Sequence, residues 1–71
     1  MKKSRTVHEF GDDYICTDFY DMDNDCASIE VFRDGKYLGV IVDLHVPDDD
    51  DDVPEFEGKV IAWIESNFNA F

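Results

Sequence analysis

The chain has 71 residues, of which 18 are acidic and 6 basic, so its formal charge at pH 7 is −12. This length can form only one domain with a small core, which leaves little room for a deep substrate cleft. The charge argues against direct binding to nucleic acids or anionic membranes, because both carry the same sign. Hydrophobic residues make up 44% of the chain, too many for a disordered acidic tail, so we expect it to fold.

The beginning of the chain has basic residues but no apolar segment, so it does not resemble a signal peptide. No apolar run approaches the roughly 20 residues of a membrane-spanning helix. We therefore expect no membrane association and a cytoplasmic location. One small domain is predicted, in which residues 1–5 are loose, residues 6–46 form an antiparallel sheet, residues 47–53 form an acidic loop, and residues 54–71 form a helix.

Two strands are predicted before the central hairpin. Residues 14–20 have the composition of a strand, and Ile15 and Phe19, with Thr17 between them, should face the core. Residues 6–10 are the weaker candidate, an edge strand that turns at residues 11–13. The sheet therefore has three or four strands, depending on whether residues 6–10 pair.

The strongest local signal in the sequence is Asp34-Gly35, which lies between two runs rich in β-forming residues. Such a pair favours a two-residue hairpin turn, because both central residues need positive φ. The turn pairs Arg33 with Lys36 and Phe32 with Tyr37. Continuing the same count places Val31 opposite Leu38 and Ile29 opposite Val40, so that one sheet face carries Ile29, Val31, Leu38, Val40, Val42, Leu44 and Val46.

The helix prediction rests on apolar residues at helical spacing, namely Phe56, Val60, Ile61, Trp63, Ile64, Phe68 and Phe71. Asp52 and Glu55 have the spacing of a capping box, and Pro54 is tolerated in a first turn. We expect Phe56 and Trp63 to be buried against Val40 and Val42. The predicted fold is α+β, an antiparallel meander with one C-terminal helix packed on one face.

The sheet face that the helix leaves open is the first candidate for binding. In the predicted register it carries Tyr14, Cys16, Asp18, Tyr20, Ser28, Glu30, Phe32, Tyr37, Gly39, Ile41, Asp43 and His45. Aromatic and acidic side chains share this face with no Lys or Arg, and aromatic residues are enriched in interface cores. We interpret it as a surface for a basic partner. The alternative is that Phe32 and Tyr37 only stabilise the hairpin as a cross-strand pair.

Catalytic and metal sites are weakly represented. Cys16 and Cys26 should remain free thiols, and no group beside them would activate either one. Asp21, Asp23 and Asp25 match the opening of an EF-hand calcium loop, but the match then fails at its glycine and glutamate positions. They remain candidates only for a weak divalent-cation site. There is no phosphate-binding loop and no nucleophilic triad, so we expect neither an enzyme nor a cofactor.

The acidic run is the second candidate for binding, and it consists of Asp48, Asp49, Asp50, Asp51 and Asp52. An extended run of this kind places a charge about every 3.3 Å, close to the roughly 3.4 Å between phosphates on one DNA strand. Such a row suits a Lys/Arg groove built for nucleic acid. The predicted partner-binding residues are therefore these five aspartates with Asp18, Glu30, Phe32, Tyr37 and Asp43.

In its size, charge and aspartate runs, the chain resembles the small acidic DNA-mimic inhibitors of phages and mobile elements. That class includes anti-CRISPR proteins, anti-restriction proteins and uracil-DNA glycosylase inhibitors. The resemblance implies an inhibitor that engages a basic surface of a nucleic-acid-binding or processing protein by charge mimicry. Two other hypotheses stay open: a small accessory or structural domain whose acidity is only solubilising, and a weak divalent-cation binder.

Overall fold

The computed structural model describes residues 3–68 as a four-stranded antiparallel sheet with one helix. The strands are β1 (Ser4–Glu9), β2 (Asp12–Asp21), β3 (Cys26–Arg33) and β4 (Lys36–Val42), and they lie side by side in chain order. A short 3-10 turn (Asp50–Asp52) then leads into α1 (Val53–Phe68). The α+β prediction is confirmed, with four strands. The part of the helix prediction that concerns residues 69–71 lies outside the described residues.

Two tight turns join the outer pairs of strands. Asp34 and Gly35 have φ values of 53° and 77°, as the predicted hairpin requires, and the pairs Phe32–Tyr37 and Arg33–Lys36 are confirmed. The β1–β2 turn uses Phe10-Gly11, with φ values of 55° and 78°. This turn lies slightly earlier than the predicted turn at residues 11–13, because a left-handed pair needs its glycine in second place.

A β-bulge overturns the predicted register beyond the β3–β4 turn. The pairing shifts between Val31 and Phe32, so that Val31 lies opposite Gly39 and Ile29 lies opposite Ile41. One extra residue in β4 moves every later side chain to the other face. The predicted core positions of Val40 and Val42 are therefore wrong, and Gly39 and Ile41 lie on the helix side instead.

The predicted orientation of β2 is also wrong. Tyr14 and Cys16 are buried on the helix side, with exposed fractions of 2% and 0%, whereas Ile15 is 42% exposed. Alternation alone does not separate these two faces, because both carry apolar side chains. Pairing across strands decides between them: Cys16 lies opposite Val31 and Tyr14 lies opposite Val7. This orientation buries the ring of Tyr14, which has a larger apolar area than the side chain of Ile15.

The core lies between the helix-side face of the sheet and α1. Phe56, Val60 and Ile64 of α1 are buried, and each such side chain contributes about 1.5–3 kcal/mol by leaving water. Trp63 is half-buried and lies over Gly39, where an added Cβ would come within 3.0 Å of the indole ring. The prediction that Phe56 and Trp63 pack against Val40 and Val42 is wrong for the same reason as the register.

The segment after β4 leaves the sheet at Asp43, whose φ is 61°. Residues 43–46 are predicted to continue the strand, but β4 ends at Val42. Individual hydrogen bonds hold the segment instead of strand pairing. The Leu44 N–H donates to the Ala27 carbonyl at 3.2 Å. The Val46 N–H donates to the Asp18 carboxylate at 2.6 Å. Leu44 and Val46 are nevertheless buried, as predicted.

The first turn of the helical segment is capped by Asp49, not by Asp52 as the capping-box spacing predicted. The Asp49 carboxylate accepts a hydrogen bond from the Asp51 N–H at 3.1 Å, and its carbonyl accepts one from the Asp52 N–H at 3.0 Å. The cap lies further upstream because the chain enters the helix through the 3-10 turn. Within residues 3–68 no helix is long and apolar enough to cross a membrane.

Candidate functional site: an acidic end beside an open sheet face

The meander brings distant acidic residues to one end of the sheet. β2 ends, β3 begins and β4 ends at this edge, so the β2–β3 turn and the segment after β4 meet there. The groove beside Leu44 and Pro47 also includes Asp52, which places the acidic run at the same end. We call this region the acidic end, and it comprises Asp21, Asp23, Asp25, Asp43, Asp48, Asp49, Asp50, Asp51 and Asp52.

The β2–β3 turn is ordered by its own carboxylates. Asp21 accepts hydrogen bonds from the backbone N–H groups of Asp23 and Asn24, at 3.0 and 3.3 Å, and from the Asn24 side-chain amide at 2.7 Å. The side-chain hydrogen bond from Asn24 is the main reason that the pKa of Asp21 lies below its ordinary value. The Tyr20 hydroxyl donates to Asp25.

These contacts bear on the candidate cation ligands Asp21, Asp23 and Asp25. The carboxylates of Asp21 and Asp25 are turned toward partners inside the turn rather than toward a common centre. Among residues 3–68 no group of three metal-ligating side chains is placed to hold an ion. The turn is better explained by ordinary Asx-type hydrogen bonding.

The acidic run is folded rather than extended, which corrects the predicted row of charges. Residues 50–52 form the 3-10 turn, in which the rise is only about 2.0 Å per residue and side chains point in different directions. The run therefore presents a compact cap of charge, not a line with the spacing of DNA phosphates. All five aspartates are exposed, and Asp48 forms an ion pair with Lys3.

The open face of the sheet, on the side away from α1, carries an exposed apolar surface. Ile15 lies opposite Phe32, which lies opposite Tyr37, so three apolar side chains cross three strands in one row. Phe32 and Tyr37 are in edge-to-face contact, with ring centroids 5.6 Å apart. We call the apolar side chains of this face the open-face patch, and they are Ile15, Phe19, Phe32, Tyr37, Val40 and Val42.

The open-face patch is too exposed to be part of the core. Ile15, Tyr37 and Val42 are 42%, 53% and 48% exposed, although all three are large apolar or aromatic side chains. Contiguous apolar exposure of this kind marks interaction surfaces more often than single exposed residues do. The patch adjoins the acidic end, because Val42 directly precedes Asp43.

Glu30 lies in the middle of the open-face patch. Thr17 and Val40 are its direct neighbours across the sheet, and Phe32 follows it on the same face of β3. Within the described part of the chain Glu30 forms no ion pair, and no Lys or Arg of the four strands points to this face. A half-buried carboxylate among apolar side chains therefore lacks a cation from its own chain.

The predicted partner-binding residues fall into three places. Glu30, Phe32 and Tyr37 lie together on the open face, while Asp43 and residues 48–52 lie at the acidic end. Asp18 is placed differently: it lies on the helix side opposite Ile29, where its carboxylate accepts the Val46 N–H. Its observed role is to hold the segment after β4 against the sheet.

Several other residues were assigned to the open face wrongly. Tyr14, Cys16, Gly39 and Ile41 lie on the helix side. The prediction missed Ile15, Phe19, Val40 and Val42, which take their places. The signal that was available is Gly39, because a glycine inside a strand often marks a bulge. Placing the bulge there would have reversed the assignment for the remainder of β4.

The opposite end of the sheet has a different charge balance. Asp34 in the β3–β4 turn is flanked by Arg33 and Lys36, and His8 lies 2.5 Å from the Asp13 carboxylate. Arg33 also lies over the Tyr14 ring, 5.9 Å from its centroid, and the Tyr14 hydroxyl is the main reason that the pKa of Arg33 is raised. We call this region the mixed end, and it comprises His8, Glu9, Asp12, Asp13, Arg33, Asp34 and Lys36.

Both cysteines are free thiols, as predicted. Burial raises the pKa of Cys16 to about 12, so this thiol stays protonated and cannot act as a nucleophile at neutral pH. Cys26 is only half-buried, and its Sγ atom lies 3.8 Å from the Ser28 hydroxyl.

No protein-family model, curated protein or solved structure matches this chain.

Proposed function

We propose that this protein is a small acidic inhibitor that binds a basic surface of a nucleic-acid-binding or processing protein by charge mimicry. The observation that carries the proposal is the acidic end, where the β2–β3 turn and the segment after β4, two separate parts of the sequence, meet at one end of the sheet. It lies directly beside the open-face patch. A basic partner could therefore be attracted by the charges and held by apolar contact in one continuous surface.

Electrostatics supports a partner whose natural ligand is a polyanion. Exposed carboxylates attract a basic surface over about 8 Å at physiological salt and so raise the rate of encounter. A Lys/Arg groove that binds nucleic acid also carries condensed or bound anions, and their release favours a competing polyanion. Because the acidic run is compact, the mimicry we propose concerns charge density at one patch rather than the spacing of a phosphate row.

Binding rather than catalysis is the proposed activity. The buried, protonated Cys16 and the absence of a metal-ligating group from residues 3–68 give no support to a catalytic centre. We propose a cytoplasmic site of action, because a chain with two free thiols suits a reducing compartment. Two grooves of the described part, one beside Leu44 and Pro47 and one beside Asp18 and Tyr20, are open to solvent, and surface recognition does not need an enclosed cavity.

The test is inhibition of a panel of DNA-processing enzymes that includes restriction nucleases, CRISPR effector nucleases and uracil-DNA glycosylases. We expect at least one to be inhibited in competition with its DNA, with an inhibition constant that rises steeply between 50 and 200 mM salt, as polyelectrolyte binding does. The first variant replaces residues 48–52 with Asn. Its control neutralises the four acids of the mixed end, Glu9, Asp12, Asp13 and Asp34, and so removes one charge fewer than the first variant.

The acidic-end variant should lose inhibition, and the mixed-end control should keep most of it. Equal losses in the two variants would mean that total charge matters and not its location. Absence of inhibition across the panel, or inhibition that does not respond to salt, would overturn the proposal.

A solubilising accessory domain is the second candidate function. It is favoured by the local roles of several acidic side chains, since Asp21, Asp25 and Asp49 each accept a hydrogen bond within their own turn. Acids retained for turn formation need no partner. On this hypothesis the Asn variant of residues 48–52 should lose solubility but no binding activity.

A further inference from the structure

We propose that the open-face patch receives an arginine side chain from a basic protein segment, with Glu30 as the carboxylate that pairs with it. The inference rests on the proposed function and adds the chemistry of the partner. It concerns a different part of the proposed binding surface from the acidic end, so that the two parts can be tested separately. A lone carboxylate would not support it; the evidence is the combination of that carboxylate with the exposed side chains around it.

The sheet geometry gives Glu30 an apolar neighbour on β4 and another along β3, with the hydroxyl residue Thr17 on its third side. Val40 and Thr17 lie directly across from it, at the roughly 5 Å separation of cross-strand neighbours. Phe32 lies two residues along β3, at about 7 Å, and Tyr37 lies across from Phe32. Glu30 is half-buried, so its carboxylate has lost part of its water but still reaches the surface.

This arrangement suits a guanidinium group better than an ammonium group. Arginine is planar and can pair with a carboxylate through two parallel hydrogen bonds while it stacks on an aromatic ring. The exposed Tyr37 ring and its neighbour Phe32 offer such a surface. The alkyl part of the arginine side chain can cover Val40 and Ile15. Lysine could satisfy the charge of Glu30 but not the stacking geometry.

Charge complementarity identifies a basic protein segment, not a second copy, as the occupant. No Lys or Arg of the strands points to the open face, where the Asp13 carboxylate contacts His8 and the Glu30 carboxylate forms no ion pair within the described residues. A two-fold contact centred on Glu30 would bring two carboxylates together, and any contact between two copies would join chains that each carry a charge of −12. A segment that carries arginine removes the unpaired charge and covers the apolar side chains at the same time.

The experiment uses NMR titration of the full-length protein with two blocked pentapeptides. One has arginine at its second and fourth positions, the other has lysine, and alanine fills the remaining positions. We expect the arginine peptide to shift the resonances of Glu30, Phe32 and Tyr37 and to bind at least threefold more tightly than the lysine peptide at 150 mM salt. Glu30→Gln should weaken arginine binding about fivefold, the scale of a partly exposed ion pair.

Asp13→Asn is the matched control, because it removes one charge from the same sheet face outside the patch. It should change the affinity less than twofold, and the spectra of both variants should retain the dispersion of the folded protein. Shifts confined to the acidic end, equal affinity for the two peptides, or equal effects of the two substitutions would overturn the inference. The proposed function would survive these results, since it depends on the acidic end. A homodimer in solution whose interface includes Glu30 would also overturn the inference.

Discussion

The two faces of the sheet carry similar side chains but have different neighbours. The helix-side face has Tyr14, Ile29 and Val31, all covered by α1 and almost fully buried. The open face has Ile15, Phe32 and Tyr37 in a comparable density, yet two of these three are more than 40% exposed. The difference is therefore not in hydrophobicity alone.

The two faces differ in whether α1 can pack closely against them. The helix-side face has small residues where α1 comes close: Trp63 lies on Gly39, where even a Cβ would be crowded, and Cys16 is fully buried beneath the helix. The open face has a carboxylate, Glu30, near its centre. Burying that carboxylate under a helix without a cation would be costly, whereas a partner that brings a cation can cover it. This difference between the faces supports our proposal that the open face binds a partner carrying a cation.

The largest expected effect tests the covered face. Phe56 is 3% exposed in the core between α1 and the sheet. Phe56→Ala should lower the free energy of unfolding by about 3–5 kcal/mol, enough to unfold much of so small a domain at room temperature. Chemical denaturation followed by circular dichroism measures it. A loss below about 1 kcal/mol would mean that α1 is not docked on the sheet in this way.

A matched pair in β4 tests which side chains belong to which face. Ile41 lies opposite Ile29 and packs against the core, whereas its neighbour Val42 is 48% exposed. Ile41→Ala should cost about 2–3 kcal/mol of unfolding free energy, and Val42→Ala at most about 1 kcal/mol. If denaturant melts showed Val42→Ala to be more destabilising than Ile41→Ala, β4 would pair without the bulge and its two faces would be exchanged.

The pH dependence of stability sharpens the description of the covered face. Burial raises the pKa of Cys16 from its ordinary 9.0 to about 12. The stability gained by keeping this thiol neutral is therefore fully present below pH 9 and is lost as the pH rises toward 12. In this window the wild type should lose up to about 1.4 kcal/mol per pH unit more than Cys16→Ala. Parallel stability curves for the two proteins would show that Cys16 is accessible to water.

The smallest expected effect concerns the acidic run, residues 48–52, which lies outside both faces of the sheet. Replacing residues 48–52 with Asn should change the free energy of unfolding by no more than about 0.5 kcal/mol. Asn can still cap the 3-10 turn at position 49, and the weaker interaction with the helix N-terminus is offset by less repulsion among like charges. Thermal melts of the variant provide the measurement. A loss above about 2 kcal/mol would assign these aspartates to folding rather than to binding.

The sequence was sufficient to predict the elements and their order, because their signals are local. Asp34-Gly35 defines its own turn, and the apolar spacing of α1 is visible without any neighbour. The assignment of the faces was not predictable in this way, since it depends on a bulge beside Gly39 and on the pairing of Cys16 with Val31. Both are properties of two strands together.

Only part of the candidate site could be predicted from the sequence. Glu30, Phe32 and Tyr37 were placed on the open face correctly, because the extra residue of the bulge is in β4: the alternation along β3 is unchanged, and Tyr37 lies before the bulge. Asp18 could not be recognised as a backbone acceptor, since its donor is Val46, 28 positions later. The acidic end likewise could not be predicted from the run of aspartates alone, because the meander is what brings the β2–β3 turn and the segment after β4 together.

The most direct test of the central claim is the kinetics of binding to the enzyme that the proposed inhibition panel identifies, measured at two salt concentrations. If the acidic end and the open-face patch form one binding surface, replacing residues 48–52 with Asn should slow association and reduce its salt dependence, because exposed charges steer encounter. Phe32→Ala should leave association nearly unchanged and accelerate dissociation, because it removes apolar contact area. Unchanged association and dissociation rates for both variants would contradict the account.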